Sequence, residues 1–286
     1  MSEEVNPDFK VKSIGKGSFA VVKIYEGRPM AFKEVLNHDE IEKLHAEYQM
    51  LKDVYTNCNT DSFFRLTRPL AYYRPLAEHH AELFQPLPPS LGASIRKHFY
   101  PANAPATTPN PSLCRIYFGK EVAPSRFVNS SNFQLDFARY TALYNEDQAA
   151  HDDDKHYLPS PNEIAHGMGQ MIARIHFKGT GYTAQDVEFV IGSEGFSAVS
   201  LFVIDFNQVR PNLMKTWDKK VDAVPDLVRV HFLNDPYFPF ARESNPLFHE
   251  FETGYLSVTE ANNPVGKEFL AELKKKQTEK DAAAGK

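Results

Sequence analysis

Two short apolar runs with acidic groups at their edges constrain this chain more than any other feature. The first is Asp186-Val187-Glu188-Phe189-Val190-Ile191 and the second is Val203-Ile204-Asp205-Phe206-Asn207, with the turn-prone Gly192-Ser193-Glu194-Gly195 after the first. Runs of this length, rich in β-branched residues and bounded by glycine, predict the two strands of a hairpin. The pairing brings Asp186, Glu188 and Asp205 to one end of a small sheet. Clustered carboxylates repel one another unless a metal, a cationic ligand or a shared proton offsets their charge.

Upstream, residues 9–35 alternate as strands: Phe9 to Ile14, Ala20 to Tyr25 and Met30 to Val35, separated by glycine turns. A helix opening near Asp39 follows, with Ile41, Leu44, Tyr48, Leu51 and Tyr55 as its apolar stripe and Glu47 beside that stripe. Further strands are expected at Phe63–Tyr73, Ala81–Leu87 and Leu113–Phe118, and the segment Pro101–Pro111 reads as a mobile surface loop. After Lys120 the pattern turns helical. Phe133–Asn145 has helical spacing, and Ser160-Pro161-Asn162-Glu163 is a capping box with proline at the first helical position. Ile164, Met168, Met171, Ile172 and Ile175 form that helix's buried face. A last helix begins at Asn263-Pro264, carries Lys274-Lys275-Lys276, and frays from Asp281 onward. The expected class is α+β, with a β-rich first part (1–120) and a mainly helical second part (121–286) that carries the acidic hairpin.

Charge and cysteine content narrow the function. Lys and Arg total 32 against 37 Asp and Glu, a net charge of −5, which argues against coating of duplex DNA. Cys58 and Cys114 are too few for a zinc finger or a disulfide framework. The His151–His156 run is read as a solvated loop with acids. The first residues lack the basic and apolar regions of a secretory leader, and no run reaches membrane-spanning length, so a cytoplasmic setting is expected.

Ile14-Gly15-Lys16-Gly17-Ser18-Phe19-Ala20 joins two expected strands, Lys33 lies on the third and Glu47 on the next helix. With Asp205-Phe206-Asn207 standing where Asp-Phe-Gly would be, this order resembles the protein-kinase-like superfamily, which implies a two-lobed fold. Ile175-His176 is similar to the end of the helix before that family's catalytic loop. Two departures matter. Glu188 takes the place of the magnesium-binding asparagine, and Thr183 stands where the catalytic aspartate belongs. Threonine cannot accept a hydroxyl proton at neutral pH as a carboxylate does.

A closer resemblance accounts for these departures. The acidic hairpin, Arg115-Ile-Tyr-Phe-Gly-Lys120 and Asn132-Phe-Gln-Leu-Asp-Phe137 resemble signatures of a large, mainly fungal family long labelled a domain of unknown function, sometimes as a zinc-finger protein. Members of that family, or of a closely similar group, are arginine-containing cyclodipeptide synthases. The resemblance implies arginyl-tRNA and a second aminoacyl-tRNA as partners and a diketopiperazine as product. An aminoacyl ester is already activated, so neither ATP nor a metal is required.

In this reading Asp186, Glu188 and Asp205 hold a guanidinium, or Glu188 serves as base toward the attacking amine, and Lys33 steadies a carbonyl oxygen with Glu47 directing it. Lys33 and Glu47 are equally consistent with a structural ion pair. Gly15, Gly17, Ser18, Thr183 and Asn207 line the substrate, Ser18 and Thr183 also being possible acyl carriers. Arg210, Lys215, Lys219 and Lys220 are candidates for tRNA phosphates, as are Lys267, Lys274, Lys275 and Lys276 on the last helix. The rival expectations are a phosphotransferase using ATP and Mg, and an inactive pseudokinase acting as a binding module.

Overall fold

The computed structural model describes residues 10–26, 28, 30–73, 78–82, 85–178, 181–193, 199–206, 208, 223–234, 236–259 and 263–285. Among them the chain is a mixed α+β protein with two five-stranded sheets and seven α-helices.

The first sheet has the order β1-β2-β3-β6-β5, from β1 (Val11–Lys16), β2 (Ala20–Tyr25), β3 (Met30–Val35), β5 (Pro69–Tyr73) and β6 (Glu78–Glu82), paired antiparallel throughout. β1 shifts register between Ser13 and Gly15 and runs on to Lys16, so the turn into β2 starts later than expected. Asn37 caps a 3-10 turn, His38–Glu40, by accepting the Asp39 N–H at 3.2 Å. Helix α1 (Ile41–Cys58) follows, and its buried face is Leu44, Glu47, Met50, Leu51, Val54 and Cys58. Glu47 is therefore within the apolar stripe rather than beside it, while Ile41, Tyr48 and Tyr55 flank it half-buried.

The second sheet has the order β4-β10-β9-β7-β8, from β4 (Arg65–Leu66), β7 (Cys114–Tyr117), β8 (Phe133–Asp136), β9 (Glu188–Ser193) and β10 (Val199–Ile204). The acidic hairpin forms: β9 and β10 are antiparallel, with Glu188 opposite Ile204 and Ser193 opposite Val199. Residues 133–136, expected as helix, are a strand parallel to β7. Phe133 and Leu135 enter the core at a two-residue period. Asp136 then switches the chain into α3 (Phe137–Ala149) by accepting the Arg139 N–H at 2.9 Å.

Helix α2 (Pro89–Phe99), α5 (Val224–Leu233) and α6 (Pro246–Val258) were not anticipated, although each carries a proline in its first turn. The expected capping box opens α4 (Pro161–Phe177). α7 (Pro264–Ala283) continues past the predicted fraying point because Asp281 accepts two bonds from Arg242, at 2.6 and 2.8 Å. Segment 101–111 has no regular structure, yet Tyr100 bonds the Pro109 carbonyl at 2.9 Å and Arg96 reaches the Pro105 carbonyl at 3.1 Å, fastening it to α2.

Two hydrophobic clusters result. A small one joins Phe19, Ala20, Val35 and Leu44 under the first sheet, and a large one fills the space between the second sheet and the helices. α1 supplies Leu44 to the small cluster and Met50, Leu51, Val54 and Cys58 to the large one, so Glu47 falls at the seam between them. The far end of α1 is tied down by Arg174 of α4, which donates to the Thr60 and Asp61 carbonyls at 2.6 and 2.9 Å. A cation against the carbonyls following a helix C-terminus is favourable on both hydrogen-bond and dipole grounds. Tyr182 adds a bond to Asp53 at 3.1 Å.

Within the large core α4 and α6 approach closely. A methyl added at Gly169 would lie 2.0 Å from the Phe251 carbonyl oxygen, and one at Gly254 would lie 2.0 Å from that of His166. Backbone cannot yield as a side-chain tip can, so Gly254→Ala is expected to lower unfolding free energy by about 3 kcal/mol in urea titration. A change within experimental error would contradict this packing.

His176 is buried and His231 half-buried beside these helices, His176 bonding the Tyr255 hydroxyl at 2.8 Å. Burial pushes both imidazoles down from 6.5 to about 3, aided by His231 acting on His176 and by Lys280 acting on His231. The unfolded chain thus binds more protons between those values. Stability is complete above about pH 6.5 and drains as pH falls toward 3, by about 2 kcal/mol per histidine at pH 5. Urea unfolding at pH 7.5 and 5.0 reads this directly. His231→Phe, which keeps the stack on Phe238, should remove about half of the acid dependence and leave the share of His176.

Candidate functional site

The site is built at the seam from the ends of both sheets. Lys33 on β3 donates to both Glu47 oxygens, at 2.6 and 2.8 Å, with side chains 15% and 9% exposed. The ring of Phe19, at the end of the glycine-rich connection, lies 4.9 Å from the Lys33 ammonium. Burial raises the Glu47 carboxyl above the usual range, Lys33 pulls it back and the charge of Asp205 pushes it up again. Asp205 is thereby an electrostatic neighbour of the pair.

The three hairpin acids lie at one end of the β9–β10 pair, and the charges of Asp186 and Asp205 both act on Glu188. Glu188 opens β9, Asp205 follows β10 directly, and Asp186 precedes β9 by two positions. Glu188 is bonded by an arginine of the protein itself: Arg115 on β7 reaches its Oε2 through Nε at 2.7 Å and Nη2 at 2.6 Å. Burial pushes the Glu188 carboxyl up to about 7, Arg115 opposes that shift, and the charges of Asp205 and Asp186 add to it. The carboxyl consequently exchanges its proton near neutrality, the range in which a general acid or base is most effective.

Backbone conformation sets the acids apart from surface turns. Ala184, Asp186 and Asp205 have φ of 53°, 65° and 65°, the left-handed region that costs a non-glycine residue about 1 kcal/mol each. Side-chain bonds hold part of this strain. Asn234, at the end of α5, accepts the Asp186 N–H at 2.7 Å and donates to the Ala184 carbonyl at 2.9 Å. Gln208 donates to Asp186 Oδ2 at 2.8 Å. Among the described residues Asp205 Oδ1 is buried and accepts no hydrogen bond.

Tyr117 and Tyr237 stack at 4.8 Å and both act electrostatically on Arg115. The strand-like bonds Phe118 N–H to Tyr237 carbonyl and Gly119 N–H to Pro236 carbonyl, each 3.0 Å, hold this wall in place.

The other expected residues fall as follows. Gly15 lies on β1 opposite Val22, while Gly17 and Ser18 belong to the β1–β2 connection, closed by a Gly17 N–H to Ala20 carbonyl bond of 2.8 Å, and neither glycine takes a positive φ. Thr183 is an interior side chain, 2% exposed, and its hydroxyl is buried. Asn207, Arg210, Lys215, Lys219 and Lys220 lie outside the described residues. On α7, Lys274, Lys275 and Lys276 pair with Glu252, Glu272 and Glu279 at 3.1, 3.1 and 2.8 Å, and Lys267 is exposed. Among the described residues no group of three or more His, Cys, Asp or Glu is placed to hold a metal ion.

Sequence reasoning assigned no role to Arg115 or Asn234. Arg115 had a usable signal, a guanidinium inside the otherwise apolar strand Cys114-Arg-Ile-Tyr117, which demands a buried counter-charge. Asn234 had none, since its partners lie 48 and 50 positions away.

Comparison with protein-family models and with curated proteins returns no match. No helix among the described residues is long and apolar enough to cross a membrane.

A structural and a functional role for the Lys33–Glu47 pair separate on substitution. Lys33→Ala strips the ammonium from a buried carboxylate and should cost about 3 kcal/mol, whereas Lys33→Met with Glu47→Leu should regain most of that stability. Denaturant midpoints of the three proteins test this. A double variant less stable than the single one would contradict it.

Proposed function

We propose that this chain is an aminoacyl-tRNA-dependent cyclodipeptide synthase that joins arginine to a second amino acid as a diketopiperazine. Its fold in this reading is protein-kinase-like and two-lobed, divided near residue 120. The observation that carries the proposal is Glu188, a carboxyl poised at about 7 by burial among two further acids. A strand lysine bonded to a helix glutamate, with the charge of an aspartate acting on that glutamate, supports the kinase-like assignment.

Glu188 takes a proton from the α-ammonium of one aminoacyl group. The neutral amine attacks the ester carbonyl of the other, the new C–N bond forms, and the ester C–O bond breaks. The ribose oxygen leaves with the proton returned by Glu188, and the nitrogen, in becoming an amide N–H, releases its other proton to solvent. A second attack of the same kind closes the ring and frees the second tRNA, so each tRNA departs as an alcohol and no oxidant, ATP or metal enters the balance. Lys33 steadies the carbonyl oxygen as negative charge develops on it. Because Glu188 is engaged by Arg115, the substrate guanidinium falls to Asp186 and Asp205, whose charges it offsets. Arg210, Lys215, Lys219 and Lys220, which follow Asp205 in the chain, take the acceptor-stem phosphates.

One observation favours a second reading. Lys33 bonds Glu47 and the charge of Asp205 acts on that carboxylate, a combination that also suits phosphoryl transfer with ATP and Mg. Asp205 would then contribute to holding the metal and Lys33 to holding phosphate.

Expression in bacteria followed by mass spectrometry of the medium distinguishes the two. Synthase activity predicts arginine-containing diketopiperazines, retained without ATP in a purified reaction and reduced about 100-fold or more by Glu188→Gln. Absence of these products, together with ATP turnover that disappears in Asp205→Asn, would establish phosphotransfer instead.

A further inference from the structure

The guanidinium of Arg115 approaches Glu188 unusually. A fork of two N–H groups commonly bridges both oxygens of a carboxylate. Here Nε donates to Oε2 at 2.7 Å, Nη2 lies 2.6 Å from the same oxygen, and among the described residues Oε1 receives no hydrogen bond. The approach is set by strand register. Arg115 is opposite Val190 on β9, and Glu188 lies two positions from Val190 on the same face, so the two side chains meet diagonally. Both are largely enclosed, at 18% and 14% exposure. The stacked pair Tyr117–Tyr237 lies beside the guanidinium.

We infer that Arg115 is a positioning residue: it anchors Glu188 through Oε2 so that Oε1 alone exchanges a proton with substrate, and it bars Glu188 from receiving a substrate guanidinium. The inference rests on the acid–base reading of Glu188 given above. Two consequences follow. The positive charge of Arg115 holds the carboxyl's proton affinity down, so removing it moves the titration upward. The fork fixes direction as well as charge, so lysine restores the first function without the second.

The full-length chain tests this with two independent measurements. The first is carbon-detected NMR of glutamate carboxyls, with Glu188 assigned by the signal that Glu188→Gln removes. The second is steady-state kinetics of diketopiperazine formation. Wild type should titrate near 7. Arg115→Ala should titrate about one unit higher, with kcat down roughly 10- to 100-fold and KM for arginyl-tRNA within about twofold. Arg115→Lys should hold the midpoint within about half a unit yet lose about tenfold in kcat. The inference is overturned if Arg115→Ala leaves the midpoint in place, if KM rises while kcat is unchanged, or if Arg115→Lys keeps full kcat. Should Arg115→Ala fail to fold, as judged by circular dichroism, the lysine variant decides. If wild type makes no diketopiperazine, the acyl-transfer reading falls, and the carboxyl titrations alone settle whether Arg115 governs Glu188.

Discussion

Burial of charge where two hydrophobic clusters meet is the constraint on which the rest of this structure depends. α1 contributes Leu44 to one cluster and Met50, Leu51, Val54 and Cys58 to the other, and Glu47 occupies the junction. A carboxylate there is tolerable only with a partner, and Lys33 supplies one from the neighbouring sheet. The pair thus ties helix to sheet at the position where apolar packing is interrupted. Arg174 and Tyr182 fasten the remainder of α1 to the helical part, which brings Lys33 and Glu47 within the field of Asp205.

The same logic repeats across the site. Arg115 answers Glu188 as Lys33 answers Glu47, and Asp205 acts on both carboxylates. Three left-handed residues in so small a region, one braced on each side of Gln185 by Asn234, add strain that packing alone would not select. Local rules are broken most often where a chain gives up stability for chemistry. A scaffold whose interior charges are largely paired and whose strained loop is braced can hold reacting groups in place before substrate arrives.

Much of the architecture is legible in residues near one another along the chain. β2 and β3 coincide with the alternating runs Ala20–Tyr25 and Met30–Val35, and α4 begins where Ser160-Pro161-Asn162-Glu163 places it. The strand at Phe133–Asp136 is misleading because Leu135 runs directly into Phe137, Tyr140 and Leu143, the last three at helical spacing. Its state is decided by β7, which offers a parallel edge. Glu47 misleads in the opposite way: polarity suggests the rim of the α1 stripe, and Lys33 permits burial.

The sequence by itself determined the α+β class, the acidic hairpin and the position of Asp186, Glu188 and Asp205 at one end of it, because each follows from periodicity, capping and pairing over a few neighbouring residues. Tertiary structure alone decided that Glu188 would be answered by an arginine from β7, that Asn234 would hold the loop carrying Asp186, and that the charge of Asp205 would act on Glu47. These meetings join residues tens of positions apart. They exist only after the sheets and helices close on one another and exclude water from the charges between them.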